Sequence, residues 1–555
     1  MKTNRNKKEE ILTTLRSRYF IDPQGKNQEQ LVDLVQVALS SLVKHQGSSP
    51  IFPINIGIPS YSSVVKSSII PEKFQPNAKG YLKNLHTQVQ GSVKAGHPYM
   101  VKNIIPTASL PSLATYLAVS LYMPNGVSGE DAAQVLNAEI SCVAAISRLA
   151  GLDAKRSAGV FTFGGTGTNL YGIKMGLVKT HPNHMKDGDT KGAVVIESVP
   201  AHYCHKTAAI WLGIGENNSI RVSSNTDQTT NLEELARICR DELSKGKKIA
   251  CINALGGTTS NMGIDDIKKI YDMRESLVRE FSLSYSPHIH VDSVLGWVFL
   301  VFCKYDFSKN SLGFTPDAIK QLKKIVKRVK TFKYADSFGV DFHKTGYVAY
   351  TSSMIIVKDK KDLMSLQRDV SIMTPLFHDD EAYNPGKFTL ETSRSAASML
   401  ATWTALQTFG IEGYQALLGN AIEMGLVIRK EVENAAKEGL FVANQEQYGP
   451  DIFVRCYAPG IDSNKEYWSE LSDDLQLAKN TAYINTFSKW LFKTMPTSEK
   501  GFALSKSSAA IYTLKGSPMV ALRIYPLSPY ITQKTAKELV KRLIKAKRQF
   551  DLKTS

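Results

Sequence analysis

Apolar positions recur at helical spacing over residues 8–46, most clearly in EQLVDLVQVALSSLVKH, and the pattern stops at GSSPIFPINIGIPS, where proline and glycine interrupt it. This predicts a helical arm leading into a core. From about Ala108 to Val357 the pattern changes: short apolar runs (AVVIES, IACINAL, HIHVDSV) alternate with amphipathic stretches such as NLEELARICRDELSKG. Continuous apolar runs separated by helices predict an α/β region, a mostly parallel sheet covered by helices. From about Thr389 onward, helical segments precede two strand candidates, DIFVRCYA and MVALRIYP, and a last basic amphipathic helix, which predicts a smaller α+β domain. The expected division is therefore 1–107 as an N-terminal arm, 108–388 as the large domain and 389–555 as the small C-terminal domain. The most apolar run, residues 295–303, is about half the length needed to cross a bilayer and reads as a buried strand or core segment.

Composition narrows the function classes. With 43% hydrophobic and 21% charged residues, the chain has the make-up of a globular protein and not of a disordered one. Its 555 residues suffice for a large enzyme. The basic opening is interrupted by acidic residues and no apolar stretch follows it, so export is not expected. The six cysteines form no C-x-x-C pair, which points to neither a disulfide framework nor a zinc site and fits a reducing cytoplasm. No metal is expected. The net charge of +17 suits nucleic acid, anionic lipid, or an anionic cofactor and substrate. Much of the excess sits in Lys/Arg-rich stretches at 320–333 and 534–548, where helical spacing predicts a solvated face beside an apolar one. No nucleic-acid-binding module accompanies the charge.

Four local patterns carry candidate chemistry. Gly164-Gly165-Thr166-Gly167-Thr168-Asn169 lies between an apolar run and a helix-like segment; small residues at a helix mouth let backbone N–H groups approach a phosphate, although a plain connecting turn reads the same way. Ala201-His202-Tyr203-Cys204-His205-Lys206 follows AVVIES, where a parallel sheet presents its strand ends to a ligand. Asp292, in His290-Val291-Asp292-Ser293, ends an apolar strand, where its charge needs a cation, and a protonated pyridine nitrogen is one. Lys344, in Asp341-Phe342-His343-Lys344, sits between two apolar strands, awkward for a surface charge but suited to a covalent amine of lowered pKa. For Asp336, Ser337 and Asp341, support of the local turn is as reasonable as contact with a ligand.

Together with His97-Pro98, ALGGTT at 254–259 and LETSRSAASML at 390–400, these motifs occur in an order that resembles the group II pyridoxal-phosphate-dependent amino-acid decarboxylases, over roughly residues 95–555. The resemblance implies a type I, aminotransferase-like fold with a mostly parallel seven-stranded sheet, helices on both faces, a smaller C-terminal α+β domain and an N-terminal helical arm. It implies a homodimer, pyridoxal 5'-phosphate as cofactor, and decarboxylation of an L-amino acid to an amine and carbon dioxide. Position by position, Lys344 resembles the Schiff-base lysine, Asp292 the partner of the pyridine nitrogen and His202 the residue stacked on the ring. Thr166 and Gly167 match the phosphate turn, His343 a phosphate-side neighbour, and Thr259 a residue near the ring hydroxyl. Oxidative deamination or carbon–carbon cleavage on the same cofactor are the alternative outcomes, and a basic binding protein on an inactive fold is a third.

Three departures from the family pattern stand out. HVDSVLGW at 290–297 suggests an altered pocket wall near Ser293 and Trp297, and His343 follows Phe342 where proline is common. Asp292 and Lys344 are 52 positions apart, a longer gap than in compact members, with 320–333 expected as an inserted surface helix. Tyr383, in FHDDEAYNPGKF, is the expected tyrosine of a mobile loop that returns a proton to the substrate carbon.

Overall fold

The computed structural model describes residues 2–554 except 56, 58, 258–261, 370–372, 374–382, 447 and 514, with side chains described from residue 6 onward. It divides into two compact units: 1–100 together with 491–503, and 101–490 together with 504–555. In the first unit the helix Gln28–His45 carries the apolar stripe read from the sequence. Its Ser41 hydroxyl donates to the Lys83 carbonyl (2.7 Å), and the His45 and His86 rings stack 3.7 Å apart.

The second unit holds both sheets. Its larger sheet comprises β1 (Ala158–Thr162), β2 (Ala193–Ser198), β3 (Ser219–Val222), β4 (Lys248–Leu255), β5 (His288–Asp292), β6 (Ser337–Asp341) and β7 (Ser353–Val357), in the order β1-β7-β6-β5-β4-β2-β3. Neighbouring strands from β6 through β5, β4 and β2 to β3 are parallel, and β7 runs against both β1 and β6. The parallel strands are buried on both faces, which is why they read as unbroken apolar runs. Between β5 and β6 runs the helix Pro316–Val329. The stretch at 320–333 is thus mostly a crossover helix that two parallel neighbours require, not an inserted surface helix. Its Leu322, Ile325, Val326 and Val329 are in the core while Lys320, Lys323 and Lys327 are exposed. Residues 295–303 are buried as expected but largely form a 3₁₀ helix, Gly296–Lys304, and not a strand.

The helix Gly165–Thr180, between β1 and β2, lies against the middle of the sheet. Glycines make this approach possible: a Cβ on Gly172 would fall 2.5 Å from the His290 ring, and one on Gly176 2.2 Å from the Ala250 carbonyl.

The smaller sheet is antiparallel, β8 (Leu440–Val442), β9 (Ile452–Cys456), β10 (Ser505–Tyr512) and β11 (Pro518–Ile524), in the order β10-β11-β9-β8. It is the C-terminal α+β region expected from the sequence. It falls in the same compact unit as the large sheet, because the helical segment Ala396–Asn434, kinked at Gly410, packs on β8 and β9 and on the helices Leu136–Leu149 and Pro316–Val329 of the large-sheet region. A buried ion pair between Arg455 and Glu470, made through two guanidinium nitrogens at 2.9 and 2.7 Å, anchors this region.

Candidate active site

Parallel strands deliver their C-terminal ends to one edge, and the residues that follow them converge there. β1 is succeeded by Gly164 and Gly165, β2 by the turn at 201–205, β5 ends on Asp292, and β6 ends on Asp341 just before His343 and Lys344. These segments line one cavity of about 350 Å3, with Thr166, Asn169 and His202 in its wall. Of the residues singled out in the sequence, Lys344, Asp292, His202, Thr166 and His343 meet here. Gly167 stands behind the lining, where a Cβ would lie 2.9 Å from Thr162. Thr259 lies outside the described residues.

Lys344 is carried by the tight connection between β6 and β7. Its Nζ is 2.9 Å from Asp341 Oδ2, and Ser353 donates to Asp341 Oδ1 at 2.5 Å. Burial pulls the ammonium toward neutrality, but Asp341 and, behind it, Asp292 outweigh burial and hold its pKa above the ordinary lysine value. This corrects the expectation of a lowered lysine pKa and gives Asp341 a place at the site in addition to the turn. Asp336 instead supports the local structure, accepting from Arg274 (2.6 Å) and from the Ile289 N–H (2.8 Å).

Asp292 is almost fully buried. Burial alone would raise its pKa, yet the hydrogen bond from His205 and the charges of His205 and Lys344 leave it well below the usual carboxylate range. Its Oδ2 accepts from His205 Nε2 (2.9 Å) and Asn169 Nδ2 (3.4 Å). Asn169 Oδ1 in turn meets His290 Nε2 at 2.9 Å, His290 Nδ1 meets Ser337 Oγ at 2.8 Å, and Ser337 Oγ meets His288 Nε2 at 2.7 Å. The sequence placed Asn169 and His205 inside candidate motifs but gave neither a role, and it did not show this chain. Its signal was present in HIHVD, where an alternation of two puts His288, His290 and Asp292 on one face of β5.

His202 accepts the Cys204 N–H at Nδ1 (3.2 Å), which leaves the proton of the neutral ring on Nε2, and burial lowers its pKa. His343 is likewise lowered by burial, with Nδ1 2.9 Å from the Ser352 carbonyl. Trp297 is not a wall of this cavity: it is buried in the core, 5.0 Å from the Phe342 ring centre, and Nε1 donates to the Asp341 carbonyl (3.3 Å). Val294 is the lining residue of that segment, and Ser293 donates to the Gly339 carbonyl (2.6 Å).

Tyr383 stands apart from these residues. It is not among the residues of this cavity; its hydroxyl donates to Glu139 Oε2 (3.2 Å) and to the Gly159 carbonyl (3.3 Å). Burial, with Glu139 beside it, raises its pKa well above the ordinary tyrosine value, and most of the loop before it, 374–382, lies outside the described residues. Arg394 of the LETSR motif belongs to the same cluster, bonded to Glu139 and to the Gly126 carbonyl.

The cavity thus offers an amine, an ionised carboxylate, an imidazole with a proton to give and a helix N-terminus at Gly165 that favours an anion. A Cβ on Gly165 would come within 2.9 Å of both Asp341 and Val294, so the turn stays open for a ligand only because the residue is glycine. This donor set fits pyridoxal phosphate, with Lys344 for its aldehyde, Asp292 for its ring nitrogen and the 164–166 turn for its phosphate. The chain is 23% identical over 338 residues to L-2,4-diaminobutyrate decarboxylase of Rhizobium meliloti, covering 60% of this chain and 61% of that protein. It is 23% identical over 342 residues to aspartate 1-decarboxylase of Aliivibrio fischeri, covering 62% and 55%. In neither case does the match span two thirds of the relative's length. The crystal structure of mouse CSAD in apo form superposes with a TM-score of 0.73 over 93% of this chain and 98% of that one, at 17% identity, which shows a shared fold. The family model for the pyridoxal-dependent decarboxylase conserved domain matches residues 65–453, and the chain belongs to that family.

Proposed function

We propose that this protein decarboxylates an L-amino acid to an amine and carbon dioxide, with pyridoxal phosphate held on Lys344. The observation that carries the reading is the convergence of Lys344, Asp292 and His202 on one cavity beside the N-terminus of the helix Gly165–Thr180. Pyridoxal phosphate, when bound, supplies an electron sink for the breaking carbon–carboxylate bond. The chain's residues do the rest. Asp341, 2.9 Å from Lys344 Nζ, would position the amine and balance its charge. Asp292, kept ionised, holds a proton on the cofactor's ring nitrogen. His202 would hold the cofactor ring and, with its proton on Nε2, is the donor we assign to the product carbon. Gly164, Gly165 and Thr166 receive the phosphate, with His343 and Thr259 as further cofactor contacts. A homodimer in the cytoplasm is part of the same proposal; no helix among the described residues is long and apolar enough to cross a membrane.

The test is a screen of the purified, cofactor-loaded protein against protein and non-protein amino acids for carbon dioxide and amine. Lys344→Ala is expected to lose both the bound-cofactor absorption band and at least about three orders of magnitude in turnover, the scale of losing a covalent catalyst. Full activity in that variant removes Lys344 from the mechanism, and an aldehyde product replaces decarboxylation by the oxidative route.

A further inference from the structure

His205 opens the helix Cys204–Trp211, and its imidazole is enclosed between two carboxylates. Nε2 is 2.9 Å from Asp292 Oδ2 and Nδ1 is 3.2 Å from Glu197 Oε2, with side-chain exposures of 0% for His205 and Glu197 and 2% for Asp292. A neutral imidazole carries one N–H, so it would turn a lone pair toward one of the two buried carboxylates. Only the doubly protonated ring presents positive charge to both carboxylates, as a hydrogen bond to Asp292 and as an ion-pair contact, without hydrogen-bond alignment, to Glu197. Behind Glu197 stands the part-exposed Arg221, its Nε 3.0 Å from Oε1, and Ser219 donates to the same oxygen at 3.1 Å. Charge therefore alternates from Arg221 through Glu197 and His205 to Asp292, across the sheet and into the cavity.

We propose that His205 is a positioning residue that acts on the cofactor through Asp292: as an imidazolium braced by Glu197 it fixes the Asp292 carboxylate and weakens it as a base, so that the ring nitrogen holds its proton less tightly than a lone carboxylate would make it. The inference rests on the assignment of Asp292 to the ring nitrogen made above. Of Asp292's oxygens, Oδ2 is taken by His205 and Asn169, and among the described residues Oδ1 accepts only the Val294 N–H at 3.5 Å, which leaves Oδ1 as the atom for a ligand. The titratable and charged groups facing His205 are Glu197 from β2, Asp292 and His290 from β5, and His202 and Cys204 from its own turn, while Lys344 from the β6–β7 connection acts on Asp292. Burial opposes the charge on His205, but the hydrogen bond and field of Asp292, together with Glu197, push its pKa up to about 9.

Two measurements test this. In the wild-type chain without cofactor, nitrogen NMR of the eleven histidines at pH 8 is expected to show one ring still doubly protonated; none in that state overturns the proposal. In the cofactor-loaded protein, nitrogen NMR of pyridoxal phosphate labelled at the ring nitrogen reports that atom's protonation directly, whatever reaction is catalysed. His205→Gln and His205→Asn are expected to move its titration midpoint up by about one pH unit, a tenfold tighter hold on the proton. An unmoved midpoint in both, with Asp292 intact, overturns the role of His205. Should Asp292→Asn leave the midpoint unmoved, the Asp292 assignment falls and the proposal with it.

Discussion

Glu139 gathers three donors in the interior beside β1: the Arg394 guanidinium, the Phe161 N–H (2.7 Å) and the Tyr383 hydroxyl. Removing the tyrosine hydroxyl leaves the carboxylate with its two stronger partners, so Tyr383→Phe is expected to cost about 1.5–3 kcal/mol of stability, the value of a hydrogen bond to a charged group. Amine yield per carbon dioxide released should stay at the wild-type ratio. Denaturant unfolding and product analysis check this; a collapse in amine yield with unchanged stability would return Tyr383 to the chemistry. The same residue shows what a linear reading can miss. Lys344, Asp292, His202 and Thr166 were legible because each sits in a motif at a strand or helix end. The partners of Tyr383 lie more than two hundred positions away, and those of His205 come from two different strands. Such pairs have no local spacing to betray them.

At the scale of elements, the helix Gly165–Thr180 is the piece on which the site depends, because its glycine face meets backbone and ring atoms directly. Gly176→Val would drive a branched side chain into the Ala250 carbonyl. We expect a loss of roughly 1–3 kcal/mol, as in other overpacked cores, accompanied by weaker cofactor binding as the 164–166 turn is displaced. Thermal unfolding and cofactor titration of the same variant decide it: destabilisation with cofactor affinity intact would uncouple the helix seat from the site. Alternating apolar runs and amphipathic stretches made the parallel sheet readable in advance. The antiparallel β7 was not, since its direction follows from the shortness of the connection at 342–352, too few residues for a parallel crossover. The lysine-rich crossover helix was misread for a related reason: its charged face was visible in the sequence, while its apolar face finds meaning only once β5 and β6 are known to be neighbours.

For the molecule as a whole, two buried groups make stability fall as pH rises. Asp451, just before β9, has no hydrogen-bond partner from another described residue on either carboxylate oxygen, and burial pushes its pKa up to about 7. The folded state therefore holds a proton that the unfolded chain releases near pH 4, so stability declines between pH 4 and 7 at about 1.4 kcal/mol per unit of pKa separation. His205, raised to about 9, contributes stability that is complete below pH 6.5 and lost as pH climbs through 9. Asp292 acts in the opposite sense, but at more acid pH. Cofactor-free protein is thus expected to melt at a lower temperature at pH 9 than at pH 6, and Asp451→Asn to flatten the part of that decline below pH 7; an unchanged slope in the variant would mean that Asp451 is ionised in the fold. A last consequence concerns the seat of the helix. With Gly172 and Gly176 pressed onto β5 and β4, and Asn169 bonded to Asp292, the 164–166 turn and the end of β5 are the two jaws of a caliper whose opening does not adjust. Such an instrument sizes a molecule before any reaction begins. Pyridoxal without its phosphate engages one jaw alone, so its affinity should fall at least about a hundredfold, the worth of two or three charge-assisted bonds, and equal affinities for the two forms would show that the jaws are not rigid.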